Sequence, residues 1–409
     1  MKNENANTAL AEHVINEADN AHRRRQRPSS GALLRRRGIH GGLAALLFLA
    51  ACAGSLGLVI IYHWPRVNVL VYYFGVRPSF VWFGMLFPAL IVGAYSLRWR
   101  WFAVGCAIWL VGLCGTEEIL QVAKPYPSAA REDFWVSRMA FRSYIETARP
   151  ASGEIAVPLR VVTWNVRGGT LGAHGIASQL AGLDPDIVFL QEGSHGGRES
   201  LQEVLRTTPA FKDYHISSGH VAVLSRFPAS RLESANGLEA MRGGVWRFDI
   251  APGVAITGIN VHLASQEMRT QLFRGWSVSQ IQRLIQRSAM EFGAIGQMIE
   301  RKRTQGPVLL AGDFNFLPTY PYLRRATAPL KDAFRENGYG WGKTVRPRIP
   351  VARIDMIFVP QDAHVYYASA VDTRYSDHRM TLAEVVVPVP VRREESGASD
   401  AAQAFLVAE

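Results

Sequence analysis

The feature of this sequence that most constrains its fold is a short apolar run, residues 308–311, which stops at Gly312 and leads into Asp313 and Asn315. Four apolar residues followed by a glycine are typical of a buried strand that ends there. If the extended geometry continues, the Asp313 carboxylate and the Asn315 amide point to the same side. Together they suit activation of a water or binding of a metal ion. Taken alone, the stretch also fits a strand that ends in a capped turn.

The sequence from Arg160 onward alternates short β-rich segments with amphipathic helical patterns. This alternation predicts an α/β or α+β domain. The predicted strands are residues 160–164, 187–190, 221–224, 245–250, 255–261, 308–311, 354–359 and 383–387. The clearest predicted helix is Val278–Arg303, which places Ile281, Leu284, Ile285, Ile295, Met298 and Ile299 on one side.

Several predicted strands end, or begin, at polar and titratable residues. These positions are Asn165, Gln191-Glu192, His262, Asp313 with Asn315, Asp355, and residues 376–379. A buried polar side chain costs free energy unless it is paired, so a single one is usually a cap or a satisfied hydrogen bond. Six such positions in one domain indicate a functional site instead.

Six short motifs occur in a fixed order along this part of the chain. They are Thr163-Trp164-Asn165-Val166, Gln191-Glu192, Asn260-Val261-His262-Leu263, Gly312-Asp313-Phe314-Asn315, Arg353-Ile354-Asp355 and Ser376-Asp377-His378. No single motif is specific, but the ordered set resembles the motif series of the endonuclease/exonuclease/phosphatase superfamily. That superfamily includes DNase I-like nucleases, abasic-site endonucleases, inositol polyphosphate 5-phosphatases and bacterial sphingomyelinases. The resemblance covers residues from about 159 to 389.

The resemblance implies a fold and a chemistry. The implied fold is a four-layer α/β sandwich with two mixed β-sheets and the site at one end of the sheets. The implied enzyme is a phosphoesterase in which water attacks phosphorus directly, with Mg²⁺ as cofactor and Mn²⁺ as the alternative.

Three residues are candidates for the metal. Glu192 is expected to bind it, because Mg²⁺ takes hard oxygen ligands. Asn165 would help to hold the metal or the phosphate oxygens, and Asp377 would carry a second metal or support the ligands from behind. The sequence is compatible with one metal or two. Alone, Asn165 would more often be a turn residue and Glu192 a solvated surface acid.

Asn165 and five further residues are candidates for the chemical step. Asp313 is expected to orient and deprotonate the attacking water, and Asn315 to position that water or a phosphate oxygen. Asp355 is expected to pair with His378 and to favour the imidazolium, which stabilises charge on the phosphoryl oxygens. His262 would add a second phosphate-facing donor, although alone it would more often be a core histidine.

The apolar residues of the chain are concentrated near the N-terminus. Hydrophobic residues make up 48% of the chain and the mean hydropathy is +0.02, which is high for a wholly soluble protein. Apolar runs at about residues 43–62, 80–97 and 101–120 predict about three transmembrane helices. An arginine-rich segment, residues 23–37, precedes them. By the positive-inside rule it predicts a cytoplasmic N-terminus, and three spans then place the catalytic domain on the periplasmic side of the inner membrane. If the third run is not a span, the domain is cytoplasmic.

The sequence therefore divides into five predicted parts. Residues 1–38 are expected to be a disordered basic tail, residues 39–120 the transmembrane region, and residues 391–409 a flexible tail. Residues 159–390 form the predicted catalytic domain, which contains none of the three cysteines and so has neither disulfides nor a cysteine metal site. Residues 121–158 are a connector that fits two arrangements, an interfacial helix lying on the bilayer or a helix packed against the domain.

The sequence is compatible with three functions. The first is a membrane-anchored, metal-dependent phosphoesterase that acts on a lipid-linked phosphate ester or diphosphate, since a tether holds the site close to the bilayer. Three spans before such a domain also resemble the membrane-anchored bacterial branch that includes teicoplanin-resistance proteins. The second is a Mg²⁺-dependent endonuclease or exonuclease, although much of the net charge of +11 lies in the N-terminal segment rather than in the domain. The third is a non-catalytic membrane scaffold that retains the fold.

Overall fold

The computed structural model describes residues 30–75, 79–96, 99–116, 119–147, 153–193, 200–232, 242–265, 277–345 and 351–392. The chain divides into two compact units. Unit 1 comprises Met1–Gly57 and Trp82–Gly112, and unit 2 comprises Leu58–Val81 and Leu113–Glu409. Unit 1 has a small buried cluster of Phe48, Ala51 and Leu90.

The described helices are α1 (Ser30–His63), α2 (Val69–Gly75), α3 (Ser79–Ser96), α4 (Trp99–Thr116), α5 (Ser128–Thr147), α6 (Ala173–Leu183), α7 (Leu201–Thr207), α8 (Val278–Arg303), α9 (Pro321–Ala326) and α10 (Ala333–Asn337). Short 3₁₀ helices cover Ile119–Ala123, Arg167–Gly169 and Pro209–Phe211. The strands are β1 (Gly153–Asn165), β2 (Ile187–Gln191), β3 (His215–Ile216), β4 (Val221–Ser225), β5 (Ala229–Leu232), β6 (Gly244–Ala251), β7 (Val254–His262), β8 (Val308–Asp313), β9 (Leu330–Asp332), β10 (Asp355–Pro360), β11 (His364–Val371) and β12 (Met380–Val391).

The strands form two six-stranded sheets with the same pattern of directions. The first sheet has the order β11-β12-β1-β2-β4-β3 and the second β5-β6-β7-β8-β10-β9. One parallel pair lies at the centre of each sheet, β1 with β2 and β7 with β8, and all other neighbours are antiparallel. Because the carboxyl ends of parallel strands meet at one edge of a sheet, each sheet brings two strand ends together there.

Three apolar layers hold unit 2 together. The middle layer joins the two sheets face to face and includes Val161, Phe189, Phe248 and Leu309. Helices α8 and α9 cover the outer face of the second sheet, and α6 and α7 cover the outer face of the first. The sequence of layers is therefore helix, sheet, sheet, helix, which confirms the predicted α/β sandwich with two mixed sheets.

The sequence located the inner strands of both sheets and missed the outer ones. All eight predicted strands are present, and most extend by one or more residues beyond their predicted ends. The four unpredicted strands, β3, β5, β9 and β11, are the edge strands of the two sheets. Edge strands are short or half-exposed and lack a continuous apolar run, so hydrophobic patterning does not reveal them.

Helix α8 has the predicted bounds, and its ends explain them. At its start the Ser277 hydroxyl accepts a hydrogen bond from the Gln280 backbone N–H, and the Gln280 side chain accepts one from the Ser277 N–H. This capping box satisfies two donors that a helix start leaves without partners. On its inner side Ile281, Ile295 and Met298 are buried against the second sheet.

The prediction of about three transmembrane helices was wrong. Among the described residues, one helix, Gly42–His63, is long and apolar enough to cross a bilayer. The second predicted run lies in α3, whose Ser79–Val92 part passes only together with α2, across a sharp bend. The third, Arg100–Thr116, is shorter than the roughly 20 residues that a spanning helix needs.

Helix α5 packs against the first sheet, which is one of the two arrangements predicted for the connector. Phe134 and Phe141 are buried, and Arg138 is fully buried with its guanidinium bound to the carboxylates of Asp184 and Asp186 at 2.8 to 2.9 Å. We call the group of Arg131, Arg138, Arg142, Arg160 and Arg226 with Asp184, Asp186 and Glu384 the arginine cluster.

The two predicted tails lie largely outside the described residues. Of the first tail, residues 1–29 fall there, whereas residues 30–38 form the first turns of α1. Of the second, residues 393–409 fall outside, and Val391 is the last residue of β12.

Candidate active site

The second sheet places three of the predicted residues side by side. In the parallel pair, His262 at the end of β7 lies opposite Asp313 at the end of β8. In the antiparallel pair, Asp355 at the start of β10 lies opposite Asp313 from the other side. The strand register alone therefore produces the row His262, Asp313, Asp355 along the edge of the sheet. In the first sheet, Asn165 ends β1 beside the end of β2.

The Asp313 carboxylate is held by two hydrogen bonds. The Asn315 backbone N–H donates to Asp313 Oδ1 at 2.9 Å, and Asn165 Nδ2 donates to Asp313 Oδ2 at 3.1 Å. Gly312 before it has φ 147°, and a Cβ there would collide with the Val261 carbonyl oxygen, so only glycine fits. The strand and the following turn therefore both fix the position of the Asp313 carboxylate. Strand β8 ends at Asp313, and the backbone N–H of Asn315 in the turn donates to it.

Asn315 is placed by that turn. Its φ is 54°, a left-handed conformation that asparagine tolerates better than most residues. Its Nδ2 donates to the Leu263 carbonyl at 2.8 Å, which ties the end of β8 to the residue after β7. The side chain is buried beside Asp313, as the sequence predicted, but the turn rather than an extended strand brings the two together.

Asn165 connects the two sheets at this edge. Its Nδ2 donates to Glu192 Oε1 at 2.9 Å as well as to Asp313, and its Oδ1 accepts from the Arg167 N–H at 3.0 Å. Glu192, directly after β2, has φ 58° and a side chain that is 35% exposed. One amide nitrogen thus holds two carboxylates from different sheets, while Glu192 keeps an open side.

The donor chemistry at this point fits a hard divalent cation. Two carboxylate oxygens, Glu192 Oε1 and Asp313 Oδ2, converge on one amide nitrogen, and such oxygens are what Mg²⁺ prefers. Asp313, Asp355 and His378 also offer ligand atoms within 4.8 Å of one another. Since His378 Nδ1 is already hydrogen-bonded to Asp355, however, this second group is better described as an ion pair beside Asp313.

Asp355 and His378 form the buried pair that the sequence predicted. His378 Nδ1 lies 2.9 Å from Asp355 Oδ2 and 3.1 Å from Oδ1, and Asp355 is fully buried. Burial by itself would lower the pKa of His378, but the carboxylates of Asp355 and Asp313 outweigh it and raise that pKa to about 9. The imidazole is therefore protonated and positively charged at neutral pH.

His262 faces the two carboxylates that Asn165 holds. Its Nε2 lies 3.6 Å from Glu192 Oε1 and 3.7 Å from Asp313 Oδ2. Its Nδ1 lies 2.6 Å from Nε2 of His220, and the two rings are nearly parallel, at 13°, with centroids 4.9 Å apart. In the tautomer that directs Nε2–H at the two carboxylates, Nδ1 of His262 is the acceptor and Nε2–H of His220 is the donor.

His220 was not predicted as a site residue. No metal-type spacing marks it, and it stands just before the predicted strand 221–224. The signal is visible only in the sheet, where Val221 pairs with Gln191, so that His220 comes to lie next to Glu192. In addition, the Gly193 N–H donates to the His220 carbonyl at 3.1 Å.

Two predicted polar residues are not part of this group. Gln191 turns inward and donates to Asn260 Oδ1 at 2.7 Å, which joins the two sheets behind the site. Asp377 is 52% exposed, and its nearest described ion-pair partner is Arg167 at 4.0 Å. The residue before it, Ser376, is the one that supports the site, because its hydroxyl donates to the Asn165 carbonyl at 2.6 Å and accepts from the His378 N–H at 3.1 Å.

Comparisons with known proteins agree with the motifs. Residues 162–378, more than half of the chain, match the model of the Endonuclease/Exonuclease/phosphatase family. A comparison with curated proteins found no match.

Solved structures give distant matches. An endonuclease/exonuclease/phosphatase family protein from Bacteroides thetaiotaomicron is 17% identical with a TM-score of 0.41, covering 57% of this chain and 99% of that one. A humanized D. rerio TDP2 is 17% identical with a TM-score of 0.41, covering 56% and 98%. A mutant beta toxin from Staphylococcus aureus with bound magnesium ions is 15% identical with a TM-score of 0.42, covering 56% and 99%.

Proposed function

Because this chain belongs to the endonuclease/exonuclease/phosphatase family, whose members are metal-dependent hydrolases of phosphoester bonds, we propose that it hydrolyses a phosphate ester or diphosphate by direct attack of water. The observation that carries this proposal is the row His262, Asp313, Asp355, completed by His378 and joined through Asn165 to Glu192. A base, a buried cation and a carboxylate with an open side are the three parts that such a reaction needs.

Asp313 is the proposed base. It is buried, but hydrogen bonds from Asn315 and Asn165 fix both carboxylate oxygens, so its orientation is set before a substrate binds. A water placed against this carboxylate loses its proton to it as the oxygen approaches phosphorus. Asn315 holds the turn that aims Asp313, which is a positioning role.

The charge that builds up on the phosphoryl oxygens is met by two histidines. The protonated His378 is paired through Nδ1 with buried Asp355, and the same nitrogen lies 3.9 Å from Asp313 Oδ2. Its other N–H is the proposed donor to the phosphoryl oxygens. His262 presents its Nε2–H to the same space. Preorganised donors in a water-poor site stabilise developing charge without reorganising during the reaction.

Glu192 is the proposed metal ligand, with its open side left for water and substrate oxygens. When bound, Mg²⁺ would neutralise the phosphate charge and polarise the bond that breaks. Asn165 faces the site with its amide nitrogen, since its oxygen accepts from the Arg167 N–H. Both N–H groups of that nitrogen are donated to Glu192 and Asp313, so in this arrangement Asn165 orients the two carboxylates.

The test is hydrolysis by the purified full chain with Mg²⁺, with Mn²⁺ and with chelator. The substrates are a lipid monophosphate, a lipid diphosphate, plasmid DNA and a soluble aryl phosphate. We expect metal-dependent release of phosphate from at least one phosphoester, abolished by Asp313→Asn. Absence of hydrolysis for every substrate would refute the enzyme, and cleavage of DNA alone would replace this function by a nuclease.

We also propose that the chain is anchored in the inner membrane and that its substrate is lipid-linked. The support is helix Gly42–His63, which is long and apolar enough to span, and on which Leu46, Leu49 and Ile60 are more than half exposed. Side chains of this kind are stable in contact with lipid. With the arginine-rich segment in the cytoplasm, one span places unit 2 on the periplasmic side.

The anchoring proposal is tested by topology reporters fused after Glu409. A periplasmic reporter signal supports one span, and a cytoplasmic signal would show that a second segment crosses the membrane. Recovery of the full chain in the soluble fraction would refute the anchor and leave the hydrolase unaffected.

A further inference from the structure

A second candidate site in unit 2 is a cavity lined by basic side chains, apart from the residues assigned to hydrolysis. Its volume is about 230 Å³, below the roughly 300 to 1,000 Å³ of pockets for drug-sized ligands. Arg324, Arg335 and Lys343 line it, together with His63. Its lining within the described part of the chain includes no carboxylate.

The carboxylates closest in sequence to these cations are already paired. Asp332 binds Arg353 at 2.7 Å, and Glu336 binds Lys331 at 3.5 Å. Neither Arg324 nor Arg335 forms an ion pair with any carboxylate that the structure describes. Several positive charges around one small cavity repel each other, and an anion between them would relieve that repulsion.

Lys343 adds a buried charge to this wall. The residue is 5% exposed, and its Nζ lies 5.6 Å from the centroid of the Trp341 ring. Cation–π contact offsets part of the cost of burying an ammonium group.

The cavity lies between the ends of strands β8 and β10 that carry Asp313 and Asp355 and the end of the candidate membrane helix. On one side, Leu317 and Pro318 follow the turn at Asn315, and Thr344, next to Lys343, accepts a hydrogen bond from the Asp355 N–H at 3.3 Å. On the other side, His63 is the last residue of Gly42–His63.

His63 is fixed by a hydrogen bond at that helix end. Its Nε2 donates to the Gly115 carbonyl at 2.9 Å. If the helix crosses a bilayer, its end and the cavity lie at the level of the lipid headgroups.

We propose that this cavity binds the phosphate group of an anionic ligand, either a phospholipid headgroup or a free phosphate. Guanidinium groups bind phosphate oxygens through paired N–H donors, and an ammonium adds a point charge. The site is separate from the carboxylates that perform hydrolysis, so it would hold a membrane lipid or a phosphate next to the catalytic strands without taking part in the reaction.

The experiment is thermal unfolding of the full chain in detergent with chelator present, so that metal-dependent binding at the carboxylates is absent. The probes are inorganic phosphate, short-chain phosphatidylglycerol and short-chain phosphatidylcholine. The variant is Arg324→Gln with Arg335→Gln, two exposed arginines. The matched control is Arg206→Gln with Arg283→Gln, which removes two exposed arginines elsewhere on unit 2.

We expect the anionic probe to raise Tm of the native chain and of the control by about 3 °C at saturation, because a ligand that binds only the folded state stabilises it. The shift should fall to about 1 °C or less in the double variant. A shift with inorganic phosphate identifies a free-phosphate site, and a shift with phosphatidylglycerol alone identifies a headgroup site. Equal shifts in variant and control, equal shifts with phosphatidylcholine, or no shift in the native chain would each overturn the proposal.

One further variant tests a competing explanation. Glu117 and Glu118 lie outside the described residues, next in sequence to Thr116, which lines the cavity. If Glu117→Gln with Glu118→Gln gained a Tm shift that the native chain lacks, these carboxylates would be the partners of the arginines. That result would overturn the proposal. Hydrolysis of a soluble phosphoester should be unchanged in the Arg324/Arg335 variant, which keeps this test separate from that of the proposed activity.

Discussion

Strand β2 has a cluster of charged residues at each end, and the two clusters differ in how their charges are balanced. Asp186 precedes the strand and Glu192 follows it, so the two residues are six steps apart, roughly 20 Å. At the first end, in the arginine cluster, Asp186 binds Arg138 and Arg142 at 2.8 Å and Arg226 at 3.4 Å. At the other end, Glu192 and Asp313 share one neutral amide.

The electrostatics of the two ends follow from that balance. In the arginine cluster, burial would raise the pKa of Asp184, but Arg138, Arg142 and Arg226 outweigh it and lower that pKa. The catalytic end holds three carboxylates, Glu192, Asp313 and Asp355, and the last two raise the pKa of His378. In the arginine cluster, the paired charges fix the position of α5. At the catalytic end, carboxylates outnumber cationic side chains, and this excess is suited to binding a metal ion and a water. Five predictions test this contrast, in order of decreasing effect.

Asp313→Asn should reduce kcat about 10³-fold, because it removes the proposed base while keeping the shape of the side chain. Thermal stability should be unchanged or slightly higher, since one of three neighbouring carboxylates is neutralised. The measurement is kcat on a phosphoester that the native chain cleaves, together with Tm. Asp213→Asn, at an 84% exposed carboxylate, is the control and should change neither value. A tenfold effect or less would assign the base elsewhere.

Arg138→Met should have the opposite profile and destabilise the fold by about 3 to 5 kcal/mol, because it leaves buried carboxylates short of a partner. The activity of the molecules that remain folded should be retained. Denaturant unfolding measures the first effect, and kcat per folded molecule the second. Arg206→Met at an exposed position should be neutral. A loss of kcat in a variant of native stability would contradict the separation of the two ends.

The charge of His378 should make both stability and activity depend on pH. Because the folded-state pKa of about 9 exceeds the ordinary value of 6.5, its stabilisation is complete below pH 6.5 and is lost as pH rises to 9. We expect a loss of at most about 3 kcal/mol across this window, and a fall of kcat above pH 9. Denaturant unfolding with chelator at several pH values measures the loss of stability. His378→Gln should abolish that slope, and an unchanged slope would assign it to other groups.

His220→Phe should lower kcat about tenfold with little change in KM, because it removes the hydrogen bond that orients His262 while retaining an aromatic ring at the position. His220→Gln, which keeps an N–H donor, should recover most of the activity. A change in KM with unchanged kcat would mean that His220 contacts the substrate rather than positioning His262.

Asp377→Asn should have the smallest effect, less than about threefold on the Mg²⁺ concentration that gives half-maximal activity, because an exposed carboxylate interacts weakly with distant charges. Titration with Mg²⁺ measures this concentration. The comparison is Glu192→Gln, which should raise it strongly. A tenfold effect of Asp377→Asn would restore Asp377 as a metal ligand.

Much of the domain could be predicted because the patterns that indicate its strands, helix and motifs each lie within a short stretch of sequence. The apolar runs predicted every inner strand, and the apolar stripe predicted α8 with its bounds. The ordered motifs also indicated Glu192, Asp313, Asp355 and His378 before any geometry was known. Three membrane helices were wrongly predicted because apolar composition alone does not show where a helix bends or ends.

What remained beyond the sequence depends on strand register. His220 is next to Glu192 only because β4 pairs antiparallel with β2, and Asp377 points outward while its neighbours Ser376 and His378 point in. The same limit applies to the edge strands, whose half-exposed residues carry no apolar pattern. The sequence by itself determined the family, the inner strands and the kinds of chemical group at the site. Only the tertiary structure decided which carboxylates stay in excess and which are neutralised, because that balance depends on contacts between residues that are far apart in the chain.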